Sequence, residues 1–163
     1  MNVNEIINII KDIANEQKGV QSSFDGDVYE NWNSTEIKYG SVNIGFQSLT
    51  YNGNLCTYSI VLYYGDRLQQ DKANVNSIYS DGIRILQSII NELNNTEGVD
   101  IDEQIIYTPF EQKFADYLAG VYATVDISCE SELGLCAIDD FDDEQSVDEE
   151  DDEPLIDNPI HPW

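Results

Sequence analysis

The chain holds few of the residue types that carry nucleophilic or metal-dependent chemistry. It has one histidine, His161, and three cysteines, Cys56, Cys129 and Cys136. A Cys–His or Ser–His–Asp site would require this single imidazole to fold back from the C-terminal segment. The step from Cys129 to Cys136 does not match the two-residue gap of zinc knuckles. These residues therefore favour neither a nucleophilic enzyme nor a zinc site.

The cysteines have simpler interpretations. An odd and sparse cysteine count favours reduced thiols in a cytoplasm. Cys56 falls in an alternating segment, and we expect it to be a small buried residue of a strand. Cys129 and Cys136 could pair across a tight loop under oxidising conditions.

Carboxylate pairs are abundant in this sequence and therefore carry little information. Glu103 and Asp126 are expected on neighbouring strands, but no cation or apolar wall is evident that would separate their pKa values. The glycines at 40, 45 and 53 do not follow a phosphate-binding spacing. The acidic runs also lack the register of a calcium loop. We therefore predict a protein that is not an enzyme, has no metal site and needs no cofactor.

The charge of the chain limits its partners. Its 163 residues include 32 Asp and Glu against 7 Lys and Arg, a formal net charge of -25. Such a chain is not expected to bind nucleic acid specifically or to adhere to an anionic membrane, because both require a basic surface. No apolar run reaches the roughly 18 residues that span a bilayer. The N-terminus does not have the pattern of a signal peptide.

The acidic residues are concentrated near the C-terminus. Residues 137–163 contain 12 acids and no Lys or Arg, whereas residues 1–136 contain the other 20 acids and all 7 bases. A run of like charges repels itself and cannot build a core. The sequence therefore predicts one domain over 1–136 and an extended acidic tail over 137–163.

The tail ends in a proline-containing apolar segment, residues 154–163. Three of the four prolines of the chain lie there and favour extended backbone. Apolar anchors on such a stiff segment are typical of a docking peptide. The anchors are Leu155, Ile156, Ile160 and Trp163. The alternative is an untethered terminus whose apolar residues occur by chance.

The rest of the chain alternates between helical and strand patterns. Apolar residues at helical spacing predict helices over 3–17, capped by Asn2 or Asn4, and over 74–94. Two alternating segments, 38–50 and 55–65, flank Asn52-Gly53 and predict a hairpin. A third strand is expected from Val99 until Pro109 breaks it, and a fourth over 119–128. Residues 20–36 are polar and predict a loop.

This order, αββαββ, predicts an α+β fold. We expect a mainly antiparallel sheet of about four strands with both helices on one face. The opposite face should expose Tyr63 and Tyr122, which would mark a protein contact unless they are ordinary strand tyrosines. Arg67 follows the second strand and is expected to pair locally with Asp66 or Asp71, or to form another ion pair on the surface or across a subunit interface.

The order of elements and several local phrases resemble a known family. They are the opening helix followed by Gly19–Phe24, the strand Thr57–Arg67, the long helix 74–94, Thr108-Pro109-Phe110 and the Cys129–Cys136 segment. Together these resemble the small neck or tail-completion proteins, tail-terminator-like, of tailed bacteriophages, especially of the crAss-like type. The resemblance covers roughly residues 5–136 and implies no enzymatic activity.

The resemblance also implies partners and a location. Members of this family form rings of six or twelve copies between the portal and the tail, around the channel through which DNA passes. The chain would then be made in the host cytoplasm and incorporated in the virion, with portal or adjacent neck and tail proteins as partners. The acidic tail is not a family feature, and we expect it to dock on neighbouring subunits. The alternative is an acidic adaptor or DNA mimic that binds a basic partner protein.

Overall fold

The structure is a computed structural model, and it describes residues 1–34, 37–102 and 104–130. The predicted acidic tail, its four apolar anchors, and the residues Glu103, Cys136 and His161 therefore lie outside the described residues. The three helices are α1 (Val3–Glu16), α2 (Val28–Trp32) and α3 (Val75–Asn94). The six strands are β1 (Ser22–Asp25), β2 (Ser41–Asn52), β3 (Leu55–Arg67), β4 (Asp100–Ile101), β5 (Tyr107–Lys113) and β6 (Tyr117–Glu130).

Helix α1 begins at the position that its sequence predicts. Asn2 is the N-cap, and its side-chain oxygen accepts the backbone N–H of Glu5 at 3.0 Å. The Glu5 carboxylate in turn accepts the backbone N–H of Asn2 at 2.8 Å, which completes a capping box. Ile6, Ile10 and Ala14 form the buried stripe of the helix.

A single mixed sheet forms the centre of the fold. Its strand order is β1-β2-β3-β6-β4, and β5 pairs with β6 along the same edge as β4. All pairs are antiparallel except β1 with β2, which is parallel. The predicted α+β class and mainly antiparallel sheet are confirmed, but the sheet has six strands and there are three helices. The two long helices pack on one face, where they bury the alternating side chains of β3 from Cys56 to Tyr64.

Two elements were not predicted, and both lie in the segment expected to be a loop. Strand β1 has four residues, Ser-Ser-Phe-Asp, too few and too polar for a visible alternation. The segment forms a strand because it pairs with β2, a contact between segments about 19 residues apart in the sequence. Helix α2 has five residues and is capped by Asp27, whose carboxylate accepts the backbone N–H groups of Tyr29 at 2.7 Å and Glu30 at 3.1 Å.

The predicted break at Pro109 is wrong. Pro109 lies within β5, opposite Val121 of β6. Because β5 pairs only with β6 in the described chain, its other edge needs no N–H donor, and such an edge tolerates proline. The predicted third strand is correspondingly divided into β4 and β5.

Gly82 marks a close crossing of α3 over the sheet. A Cβ at this position would lie 2.9 Å from Tyr64 Cδ1 and 3.1 Å from Val121 Cγ2. The predicted hairpin is also confirmed, since β2 ends at Asn52 and Gly53 adopts a φ of 66°.

Candidate protein-interaction surfaces

An aromatic cluster covers the sheet face opposite α1 and α3. Trp32, from the last turn of α2, is 1% exposed. Its ring stacks on Phe110 at 5.6 Å and meets Phe114 edge-on at 5.1 Å. The indole lies over Gly65 of β3, where a Cβ would be 2.8 Å from Trp32 Cη2. The glycine therefore provides the flat site on the strand that the ring occupies.

The two tyrosines that the sequence singled out belong to this cluster. Tyr63 of β3 lies directly opposite Tyr122 of β6, and their ring centroids are 5.5 Å apart. Both side chains are half-buried rather than exposed. The expectation of an open tyrosine face is wrong because α2, which was not predicted, packs over it. Their role in a protein contact stays a prediction. Burial, and secondarily the neighbouring Tyr122, raises the pKa of Tyr63.

Two cavities open beside this cluster. One, of about 240 Å³, is lined mainly by aromatic side chains, including Tyr29, Trp32, Tyr63 and Tyr122. The other, of about 570 Å³, lies beside it and runs towards Asp25 and Asp27. The two share Val28, Tyr29 and Tyr63 as lining residues, so they form one continuous surface, which we name the aromatic groove.

Arg67 does not make the local ion pair expected of it. Its guanidinium donates to Asp116 Oδ1 at 3.1 Å and lies 5.7 Å from the centre of the Tyr39 ring. Asp66 instead accepts the backbone N–H of Arg67 at 2.6 Å. The true partner was not visible in the sequence, because the β5–β6 turn brings Asp116 to β3 from 49 residues away. Whether Arg67 also serves a subunit contact stays a prediction.

Tyr39 joins the same group of side chains. Its hydroxyl donates to Asp116 Oδ2. Burial, followed by this hydrogen bond to the carboxylate, raises the pKa of Tyr39 to about 12. The arrangement is a structural tie between the loop before β2 and the β5–β6 turn.

Four of the seven cations of the chain form ion pairs with neighbouring carboxylates. All seven lie in the described residues. Lys11 pairs with Asp25 at 2.6 Å, Arg84 with Asp81 at 3.4 Å and Lys72 with Glu111, in addition to Arg67 with Asp116.

Several exposed apolar side chains lie on the hairpin of β2 and β3. Four of the eight large exposed apolar residues of the described chain are there: Phe46, Leu49, Tyr51 and Leu55, each 44–56% exposed. A register shift between Phe46 and Ser48 marks a bulge in β2. Strand β1 pairs with β2 only from Ser41 to Ile44, so in the described chain the outer edge of β2 beyond Ile44 has no partner strand.

The same hairpin lies in the longest uncharged stretch of the sequence. No Asp, Glu, Lys or Arg occurs between Lys38 and Asp66. Edge strands commonly carry charged side chains or proline that prevent pairing with other chains. Residues 45–60, which we name the uncharged hairpin, have neither. This surface was not singled out in the sequence, although the absence of charge over 39–65 could have identified it.

The described residues contain no group of three or more His, Cys, Asp or Glu side chains that could hold a metal ion. None of the helices in the described part of the chain has the length and hydropathy needed to cross a bilayer. Comparison with known protein families and with curated protein sequences finds no match to this chain.

Proposed function

We propose that the chain is a non-enzymatic structural subunit of a bacteriophage neck. Copies assemble into a ring of six or twelve between portal and tail, around the DNA channel, with acidic tails that dock on neighbouring subunits. The observation that carries this proposal is the uncharged hairpin with its unpaired edge. The resemblance of the sequence to neck proteins supplies the ring and its place in the virion.

Electrostatics explains why the contact should be at this hairpin. Six copies at -25 each total -150, so most pairs of surfaces on two copies repel each other. A surface without charge avoids local repulsion between the two contacting faces, and burial of its apolar side chains can offset the repulsion between the net charges of the two copies. Open strand edges also add main-chain hydrogen bonds between subunits. The strong negative charge elsewhere keeps such a ring from gripping the phosphates of passing DNA.

The experiment compares two substitutions that each add one carboxylate at an exposed apolar position. Leu49→Asp changes the uncharged hairpin, and Ile106→Asp is the matched control at a residue that is 70% exposed and outside the hairpin. Native mass spectrometry of the full chain should give about 111 kDa for six copies, or about 222 kDa for twelve, from the 18.5 kDa subunit. Leu49→Asp should give the monomer, and Ile106→Asp should leave the ring intact.

Two outcomes would contradict the proposal. Rings of Leu49→Asp as abundant as those of the unsubstituted chain would exclude the uncharged hairpin as the contact. A monomer at all concentrations that binds a basic protein with strong salt dependence would instead identify an acidic adaptor.

A further inference from the structure

The aromatic groove has the character of a peptide-binding site. Its narrower part is lined by Tyr29, Trp32, Tyr63, Phe110 and Tyr122, with Gln112 among the polar groups. Grooves lined by aromatic rings recognise extended proline-containing segments, because flat rings accommodate proline and the extended segment loses little entropy on binding. Tyr29 is 54% exposed, so part of this lining is accessible from outside.

A second observation at the groove independently indicates a ligand. Trp32 is 1% exposed, and its Nε1 finds no hydrogen-bond acceptor among the described residues. A buried donor without an acceptor is costly, and buried indole N–H groups usually have one. Trp32 lines the narrower part of the groove, so a bound peptide that displaces the side chains covering the indole would bring it a backbone carbonyl, the type of acceptor that this donor lacks. Proline-containing peptides present their carbonyls outward because they have few internal hydrogen bonds.

The chain itself contains a peptide of this chemistry. Residues 159–162 read Pro-Ile-His-Pro, two prolines separated by two residues, which is the spacing that aromatic grooves recognise. Pro154, Leu155 and Ile156 precede this motif and Trp163 follows it, so prolines and apolar side chains alternate along the segment. Only Asp157 carries a charge at neutral pH among its side chains, in contrast to the run of acids before it.

We propose that the aromatic groove binds residues 154–163 of a second copy of this chain. The intervening residues 131–153 include Glu132 and 11 further acids from Asp139 to Glu153, with no Lys or Arg. Repulsion among these charges lengthens a linker, and 23 residues reach up to about 76 Å when extended. Strand β3, with 13 residues, is only about 43 Å long. A linker of this reach is longer than the longest strand of the domain and can connect neighbouring subunits. The presence of such neighbours is the part of this inference that rests on the proposed function.

The test measures peptide binding on a chain that cannot form the ring through the uncharged hairpin. A synthetic peptide of residues 154–163 is titrated into the full-length Leu49→Asp protein carrying ¹⁵N-labelled tryptophan. The peptide should shift the Trp32 indole N–H signal in a dose-dependent and saturable manner. Peptide with Pro159→Ala and Pro162→Ala should bind about 4- to 30-fold more weakly, because the two prolines no longer limit its unbound conformations.

Substitutions in the body locate the binding site. Tyr29→Ala should weaken peptide binding at least several-fold, and because Tyr29 is exposed the protein should still fold. Ile106→Ala, at an exposed residue outside the groove, is the matched control and should bind as before. An unmoved Trp32 signal at millimolar peptide, or equal affinity for the Tyr29→Ala variant, would overturn the groove as the site.

A dilution series of the Leu49→Asp protein, which does not form the ring, tests the second copy. The signal of bound Trp32 should be lost on dilution, as an intermolecular contact requires. A bound signal that persists at every dilution would overturn the assignment to a second copy. If the chain forms no ring, peptide binding to the Leu49→Asp protein should still be observed, so the experiments distinguish failure of the ring proposal from failure of the groove proposal.

Discussion

Replacing Gly65 with alanine should destabilise the protein, because Trp32 occupies the space that the new methyl group needs. The added Cβ would lie 2.8 Å from Trp32 Cη2 and 2.9 Å from Cζ2. An ordinary contact requires about 3.5 Å or more, so the indole must move outward by about 0.7 Å or more. It cannot do so freely, because Phe110 stacks on it at 5.6 Å and Phe114 meets it at 5.1 Å.

The magnitude follows from the cost of overpacking a filled site, about 1–3 kcal/mol. For a chain of this size each kcal/mol lowers the Tm by about 2–4 °C, so Gly65→Ala should lower it by about 2–12 °C. Gly45→Ala is the matched control on the neighbouring strand, since its Cβ would lie 3.8 Å from the nearest atom, the carbonyl oxygen of Val61. That variant should be as stable as the unsubstituted protein or slightly more stable.

Thermal unfolding followed by far-UV circular dichroism measures both variants. Near-UV dichroism should change only in Gly65→Ala, because the indole and its ring neighbours are displaced. If both glycine variants unfold at the same temperature, Trp32 does not pack on Gly65, and the account of the aromatic cluster is refuted.

Two further predictions concern the N-terminus and the tie at Tyr39. Asn2→Ala removes the cap of α1 and should cost about 1 kcal/mol of unfolding free energy, measured by urea denaturation, whereas Asn4→Ala, inside the helix, should cost less. Burial and the hydrogen bond to Asp116 raise the pKa of Tyr39 from its usual 10 to about 12 in the folded protein, so the folded state holds the hydroxyl proton more tightly than the unfolded state does. The stability that this difference contributes is present below pH 10 and is lost as the pH rises from 10 to 12. Asp116→Asn should lower the Tyr39 pKa, as measured by ¹³C NMR of labelled tyrosine, and an unchanged value would contradict the hydrogen bond.

The sequence predicted the parts of the fold that depend on local periodicity. Ile6, Ile10 and Ala14 recur at helical spacing, and every second residue of β3 from Cys56 to Tyr64 is apolar and buried, so both elements are visible in a single segment. Asn52-Gly53 likewise determines its own turn. The alternation also placed Cys56 correctly in the core, where it is 3% exposed.

The parts that were not predicted depend on contacts between distant segments. The Ser22–Asp25 strand exists because β2 lies beside it, and α2 is held by the packing of Trp32 on Gly65, 33 positions later. Since α2 was not expected, Tyr63 and Tyr122 were assigned to an open face. Arg67 was paired with near neighbours because the approach of Asp116 requires the β5–β6 turn. The aromatic groove could not be predicted before these contacts were known.

The most direct test of the proposed neck assignment is electron cryomicroscopy of purified phage particles from a culture in which this chain is expressed. The account predicts density for the six-stranded body in six or twelve copies at the junction of portal and tail, with the uncharged hairpins at the contacts between neighbouring copies. Absence of the chain from purified particles, or density for it at another position in the virion, would contradict the account.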